Sequence, residues 1–213
     1  MHLLKPVKTI KIVLLATLLT GSVAQAKDFS ILRAEEAVRS FAGSRPVAAP
    51  AGQQIEVGFS PKQGAEELVL KVINSSTKSL RVAAYSFTSA PVVSALLAAH
   101  KRGVEVAVIV DYRNNFVEGC GDRGACKGKH AVGTLVNAGI PVRVIDKYAI
   151  FHHKFVLSDS KHMELGSFNY SASAATRNAE NAIAIWNNPD VVATYAAKWN
   201  TYWSEARQPP LDY

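Results

Sequence analysis

Cysteine is scarce in this chain, 2 residues among 213, and both lie in one glycine-rich stretch as Cys120 and Cys126. Carboxylates and Cys/His sets do not cluster elsewhere, and only Asp122 and His130 stand near the cysteine pair. A resident metal is therefore not expected, nor any cofactor, because a metal needs several donors brought together. Long apolar runs are missing too. The N-terminal one, Ile12 to Leu19, gives way to Thr20, Gly21 and Ser22, short of the ~20 residues that cross a bilayer. Charge of one sign is only in mild excess, with 24 Lys and Arg against 17 Asp and Glu, net +7. Such a balance is compatible with a polyanionic partner and does not single one out. No segment repeats, so whatever chemistry the chain carries is encoded once.

What is present begins with a processing signal. Lys5, Lys8 and Lys11 precede the apolar run and Ala24-Gln25-Ala26 follows it, the layout of a secretory signal peptide cleaved after Ala26. The mature chain is then expected in the periplasm or secreted, without a stable membrane anchor. It loses three lysines and no acids, leaving 21 basic and 17 acidic side chains, net +4. In an oxidising compartment a close cysteine pair reads as a disulfide, so Cys120 and Cys126 are expected to join and order their loop.

Residues 27–54 read as a tether: an amphipathic stretch from Asp28 to Phe41, then the small, proline-bearing run Gly43 to Gly52. The folded domain is expected over 55–207, with 208–213 a tail, and a hydrophobic content of 48% suits one full core. Apolar runs predict strands at Ile55–Phe59, Leu80–Phe87, Val104–Val110, Ile140–Ile145, Lys154–Leu157, Met163–Ser167 and Ala182–Trp186. Helices are expected at Pro61–Ile73, Pro91–Arg102, His130–Asn137 and within Ser171–Arg177. A closing helix is expected over Pro189–Ala206, where Val192, Tyr195, Ala196, Trp199 and Trp203 share a face. This alternation predicts an α/β fold, a mixed β-sheet sandwiched by helices.

The chain is organised around Phe151 to Trp186. Within it His152, Lys154, Asp159, Gly166, Ser167 and Asn169 spell H-x-K-x4-D-x6-G-S-x-N. On a strand His152 and Lys154 point one way, while His153, Phe155 and Leu157 point the other. An imidazole beside an ammonium is a nucleophile next to a fixed positive charge, which suits a phosphate. Ser167 and Asn169 share parity and can both donate to phosphoryl oxygens. Glu180, just before the apolar run, is expected to accept a hydrogen bond from the far nitrogen of His152 and fix its tautomer. Asp159 has two readings, a hairpin turn with Ser160 or support of the site through hydrogen bonds. His153 reads as a packed histidine.

That spacing resembles the signature of the phospholipase D superfamily, whose members break or exchange phosphodiester bonds through a phosphohistidine. The resemblance runs from Ile55 to Trp203 and points to the small bacterial nucleases with one motif per chain, Glu180 included. It implies a phospholipase D-like fold in which His152 attacks phosphorus and Lys154, Ser167 and Asn169 hold the non-bridging oxygens. It gives Asp159 a supporting role and Glu180 the task of orienting the imidazole. Exchange by this route needs two imidazoles, one to attack and one to protonate the leaving oxygen. His100, His130 and His162 lack the downstream lysine, so a homodimer is expected, with both His152 side chains at one shared site. Lysines then replace the metal that other phosphoryl-transfer sites use. The expected substrate is nucleic acid, DNA before RNA, with Lys127, Lys129, His130 and Lys147 as a basic rim. A phospholipid head group is the alternative. From another class, a non-catalytic nucleic-acid-binding protein is opposed by the intact motif.

Overall fold

Apolar runs of four to seven residues become strands of a single seven-stranded sheet. The structure is a computed structural model that describes residues 49–118, 120 and 126–211. The expected signal peptide and the amphipathic stretch from Asp28 to Phe41 lie outside the described residues. In chain order the elements are β1 (Gln54–Ser60), α1 (Ala65–Ser75), β2 (Ser79–Ala84), α2 (Ala90–Lys101), β3 (Glu105–Asp111) and α3 (Tyr112–Phe116). There follow α4 (Lys127–Asn137), β4 (Val142–Ile145), β5 (Lys154–Ser158), β6 (His162–Gly166), α5 (Ala172–Thr176), β7 (Glu180–Trp186) and α6 (Pro189–Glu205).

The strand order is β1-β7-β6-β5-β2-β3-β4. β2, β3 and β4 run parallel, joined by helical crossovers, whereas β5, β6, β7 and β1 pair antiparallel. The sheet is therefore mixed, as the alternation predicts. Alternating side chains divide its two faces. Val82, Val108, Val110 and Val156 pack with Val69, Val72 and Ile73 of α1 and Leu96 of α2. Ala83, Ile109, Phe155, Leu157 and Met163 pack under Trp199 and Tyr202 of α6. Full burial of each such valine, leucine or isoleucine contributes about 1.5–3 kcal/mol. Trp199 also donates its Nε1 proton to the Val82 carbonyl at 3.0 Å, which ties α6 across β2.

Several boundaries differ from those the sequence predicts; β4 starts at Val142 rather than Ile140, and α4 at Lys127 rather than His130. α1 starts at Ala65 rather than Pro61, because Phe59 and Gln63 exchange backbone bonds around a turn with Lys62 and Gly64 at positive φ. β2 stops at Ala84, since the Phe87 N–H turns away to the side chain of Asn115. α3 is an additional element, one short helix whose N-terminus is capped by Asp111 through the Asn114 N–H at 2.7 Å.

The strand directions bring one end of the sheet into use. The C-terminal ends of β1, β2, β3 and β6 and the N-terminal ends of β5 and β7 collect Ser60, Ala84, Asp111, Gly166, Lys154 and Glu180 along one rim. Register confirms the neighbours: Ala84 faces Lys154, and Ser60 faces Glu180.

Candidate active site

β5 begins as soon as the chain leaves the rim, and its first residues divide by parity. His152 is exposed just ahead of the strand, whereas Lys154 is buried to 7% exposure on the same side. His153 faces α6, where its Nε2 lies 2.9 Å from the Tyr202 hydroxyl and its ring packs edge-on against Phe151 and Phe155. His153 is thus a packing residue, and His152 is the imidazole offered to solvent.

Two groups hold Lys154 beside that imidazole. Its Nζ donates to the His152 carbonyl at 3.0 Å and lies 5.0 Å from the centre of the Tyr85 ring. Tyr85 in turn packs against the His152 ring, centroids 4.7 Å apart. Burial pulls the Lys154 ammonium down to about 8, with the negative charge of Glu180 acting the other way. Burial, then the nearby Lys154 charge, also lowers His152, while Asp111 opposes them. A neutral imidazole next to a cation is what an attacking nitrogen requires at neutral pH.

Across the rim the Gly-Ser turn wraps onto one carbonyl. The Ser167 and Phe168 N–H groups both donate to the Asn181 oxygen, at 3.1 and 3.2 Å. A Cβ on Gly166 would overlap that same oxygen, which explains the glycine in the motif. Ser167 is exposed, and its Oγ donates to Glu180 Oε2 at 2.6 Å while accepting from the Asn181 N–H at 3.1 Å. Asn169 keeps its Oδ1 buried with no partner among the described residues.

Glu180 departs from its expected place on the imidazole. Its Oε2 takes the Ser167 hydroxyl and its Oε1 the Asn178 amide at 3.0 Å, and within the protomer it makes no bond to His152. The reason is register: Glu180 opens β7, and β6 lies between β7 and β5, so the carboxylate reaches the Gly-Ser turn first. Asp159 sits at the opposite end of β5, about 16 Å away along the strand. There it turns the hairpin with Ser160, both at positive φ, and accepts four bonds from Thr77, Lys78 and Ser79. Those bonds outweigh burial and draw its carboxyl down to about 2. They also tie the hairpin after β5 to the start of β2. Lys147 of the expected basic rim is engaged by Glu205 at 2.7 Å. Cys120 and Cys126 are joined as a disulfide.

Several groups at the rim carry no motif. Asp111, 2% exposed, accepts the Phe151 N–H through Oδ2 at 2.8 Å and so fixes the chain entering His152. Asn115 is buried and donates to the Tyr85 carbonyl at 2.6 Å and the Asp111 carbonyl at 2.7 Å. The signal available in sequence was the Asp-x-x-Asn capping pattern after an apolar strand, which marks a helix start rather than a site.

Comparison with known proteins bears on this geometry. Residues 69–203 match the family model described as cardiolipin synthase, PLD-like domain. The chain belongs to the phospholipase D superfamily. As a member it is a phosphodiester hydrolase. The phospholipase D of Rickettsia conorii is 30% identical over 147 residues, covering 68% of each chain. The mitochondrial cardiolipin hydrolase of Danio rerio is 32% identical over 167 residues, 78% of this chain and 65% of that one. Among solved structures, the phospholipase D family member Nuc from Salmonella typhimurium is 37% identical, with a TM-score of 0.68, over 73% of this chain and 97% of that one. In this phospholipase D-superfamily chain, no group of three or more His, Cys, Asp or Glu able to hold a metal occurs among the described residues.

Proposed function

We propose that the chain is an exported, metal-independent endonuclease that cuts DNA, and RNA secondarily, through a phosphohistidine on His152. The observation that carries this reading is an exposed, neutral imidazole set directly beside a buried ammonium. One nitrogen of His152 attacks phosphorus and the bond to the leaving oxygen breaks. His152 of the partner subunit protonates that oxygen, then takes a proton from water, and the hydroxide displaces the first imidazole. Lys154, Ser167 and Asn169 hold the non-bridging oxygens, where the ammonium offsets the charge that develops. Glu180 holds the Ser167 hydroxyl before substrate arrives, and that proton turns from the carboxylate to the phosphoryl oxygen when the phosphodiester binds.

The likeness to Nuc, which extends over 97% of that chain, supports a nuclease over a lipid enzyme. A phospholipase reading draws on the names of the Rickettsia and Danio relatives, and the site recognises only the phosphodiester they share. Purified protein incubated with plasmid DNA, RNA and phosphatidylcholine vesicles, each with and without EDTA, separates the two. Nicked plasmid in all conditions and intact lipid are expected. Head-group release without nicking would transfer the assignment to lipid. Activity lost in EDTA and restored by magnesium or zinc would remove the metal-independent mechanism.

A further inference from the structure

A second cavity lies on the shoulder of the site and plays no part in the chemistry above. It encloses about 210 Å³ and is lined by Ser86, Thr88, Asn114, Glu118, Lys127 and Gly128. Ser86 follows Tyr85, whose ring packs on His152, so the cavity lies one residue along the chain from the side chain that covers the reacting imidazole. Its other wall is α3 and the start of α4, held against the rim by Asn115. Gly128 lets α4 approach that closely, since a Cβ there would overlap Asn115.

The lining has a consistent character. The hydroxyls of Ser86 and Thr88, the amide of Asn114 and the ammonium of Lys127 make no hydrogen bond or ion pair with any described residue. Neighbouring polar side chains, by contrast, are committed: Ser89 caps α2, Asn115 bonds three backbone groups, and Ser171 caps α5. The one carboxylate in the wall, Glu118, faces Arg113 at 3.8 Å, which offsets its charge. Four unengaged donors around one small polar space suit an anion with several acceptor oxygens. No large apolar side chain lines the cavity, so an acyl chain finds nothing to pack on there.

We infer that this cavity binds the phosphate adjacent to the scissile one on a polynucleotide strand, with Lys127 as its charge and Ser86, Thr88 and Asn114 as hydrogen-bond donors. The inference rests on the nuclease reading and sharpens it. The site at His152 handles any phosphodiester, while the second subsite selects substrates that carry another phosphate one step along the chain. Lys127 is then a specificity-determining residue that leaves the chemistry alone.

Two substrates test this: a single-stranded oligodeoxynucleotide and bis(p-nitrophenyl) phosphate, which has one phosphodiester and no neighbour. Lys127→Ala should lower kcat/KM on the oligonucleotide about tenfold, mainly through KM, the effect of one lost charge-assisted bond. The small diester should be turned over at the unaltered rate. The slope of log kcat/KM against log salt should flatten by about 0.7 for the oligonucleotide alone. Thr88→Val, which keeps the side chain's shape, should produce a smaller loss of the same kind. Equal losses on both substrates, or no loss on the oligonucleotide, would overturn the subsite and leave the nuclease reading standing. An unaltered chain that turns over the diester and never cuts the oligonucleotide would overturn both.

Discussion

Burial acts on Lys154 in two opposed ways. It removes water from the ammonium and so pulls the group down to about 8, and it keeps the same charge unscreened where a phosphate would sit. The residue is charged below that value and loses its proton above it. For an enzyme that needs the ammonium on a phosphoryl oxygen, kcat/KM should steepen near pH 8 by a further tenfold per unit, on top of the slope set at lower pH by the imidazole that must stay protonated, because it reports the free protein. A bound phosphate restores favourable surroundings to the cation, so kcat should hold to a higher pH than kcat/KM. Rate profiles on a soluble phosphodiester between pH 6 and 10 measure both. A kcat/KM whose slope does not steepen between pH 7 and pH 10 would mean that Lys154 does not carry charge onto the substrate.

Among elements, β5 and β6 make the site and were unequally legible. The period of two on β5 was plain from the residues, because His152 and Lys154 alternate just ahead of an apolar Phe-Val-Leu run that had to face two ways. Strand order was not, since nothing local in β7 says that β6 stands between Glu180 and His152. Tyr85, Asp111 and Asn115 reach the rim from distant elements with no shared motif, and α3 is too short for its period to show. β6 holds another group with no local signal. Glu164 is fully buried opposite Val156, its Oε2 takes the Tyr170 hydroxyl at 2.8 Å, and its Oε1 has no partner among the described residues. Burial raises its carboxyl from 4.5 to about 8, with the Tyr170 bond opposing. The folded chain thus holds a proton that the unfolded chain releases above about 4.5. Its contribution to stability is complete below that pH, declines through the interval by up to about 1.4 kcal/mol per unit, and levels off above about 8. Glu164→Gln keeps a neutral acceptor for Tyr170 and removes the proton. Thermal melts should show the variant gaining on the unaltered protein steadily from pH 5 to pH 8. A gap between the two that stays constant with pH would refute the buried neutral acid.

At the scale of the molecule, one face of the sheet is unfinished. α6 lies over β2, β4, β5 and β6, and beyond it Ile55, Val57 and Phe59 of the edge strand β1 are 58%, 55% and 52% exposed. They adjoin Ile183 and Ile185 of β7, both only half-buried, so the apolar surface is continuous rather than scattered. The proposed chemistry asks for a second His152 at the same phosphate, and geometry restricts how a second copy can supply it. Antiparallel pairing of two β1 strands would send the two rims to opposite ends. A two-fold axis parallel to the strands, with the open faces opposed, keeps both rims at one end and covers the exposed apolar residues. Val57→Lys should therefore split the dimer and remove activity together, with the monomer still folded. Mixed dimers probe the shared site directly. His152→Ala chains co-expressed with unaltered chains, and isolated through two different tags, should give a dimer with nearly all activity lost, because one of the two imidazole roles is empty whichever way the substrate enters. Half the normal activity would instead mean that each protomer works alone. The proton donor to the leaving oxygen would then lie within a single chain, and the open face of β1 would need another occupant.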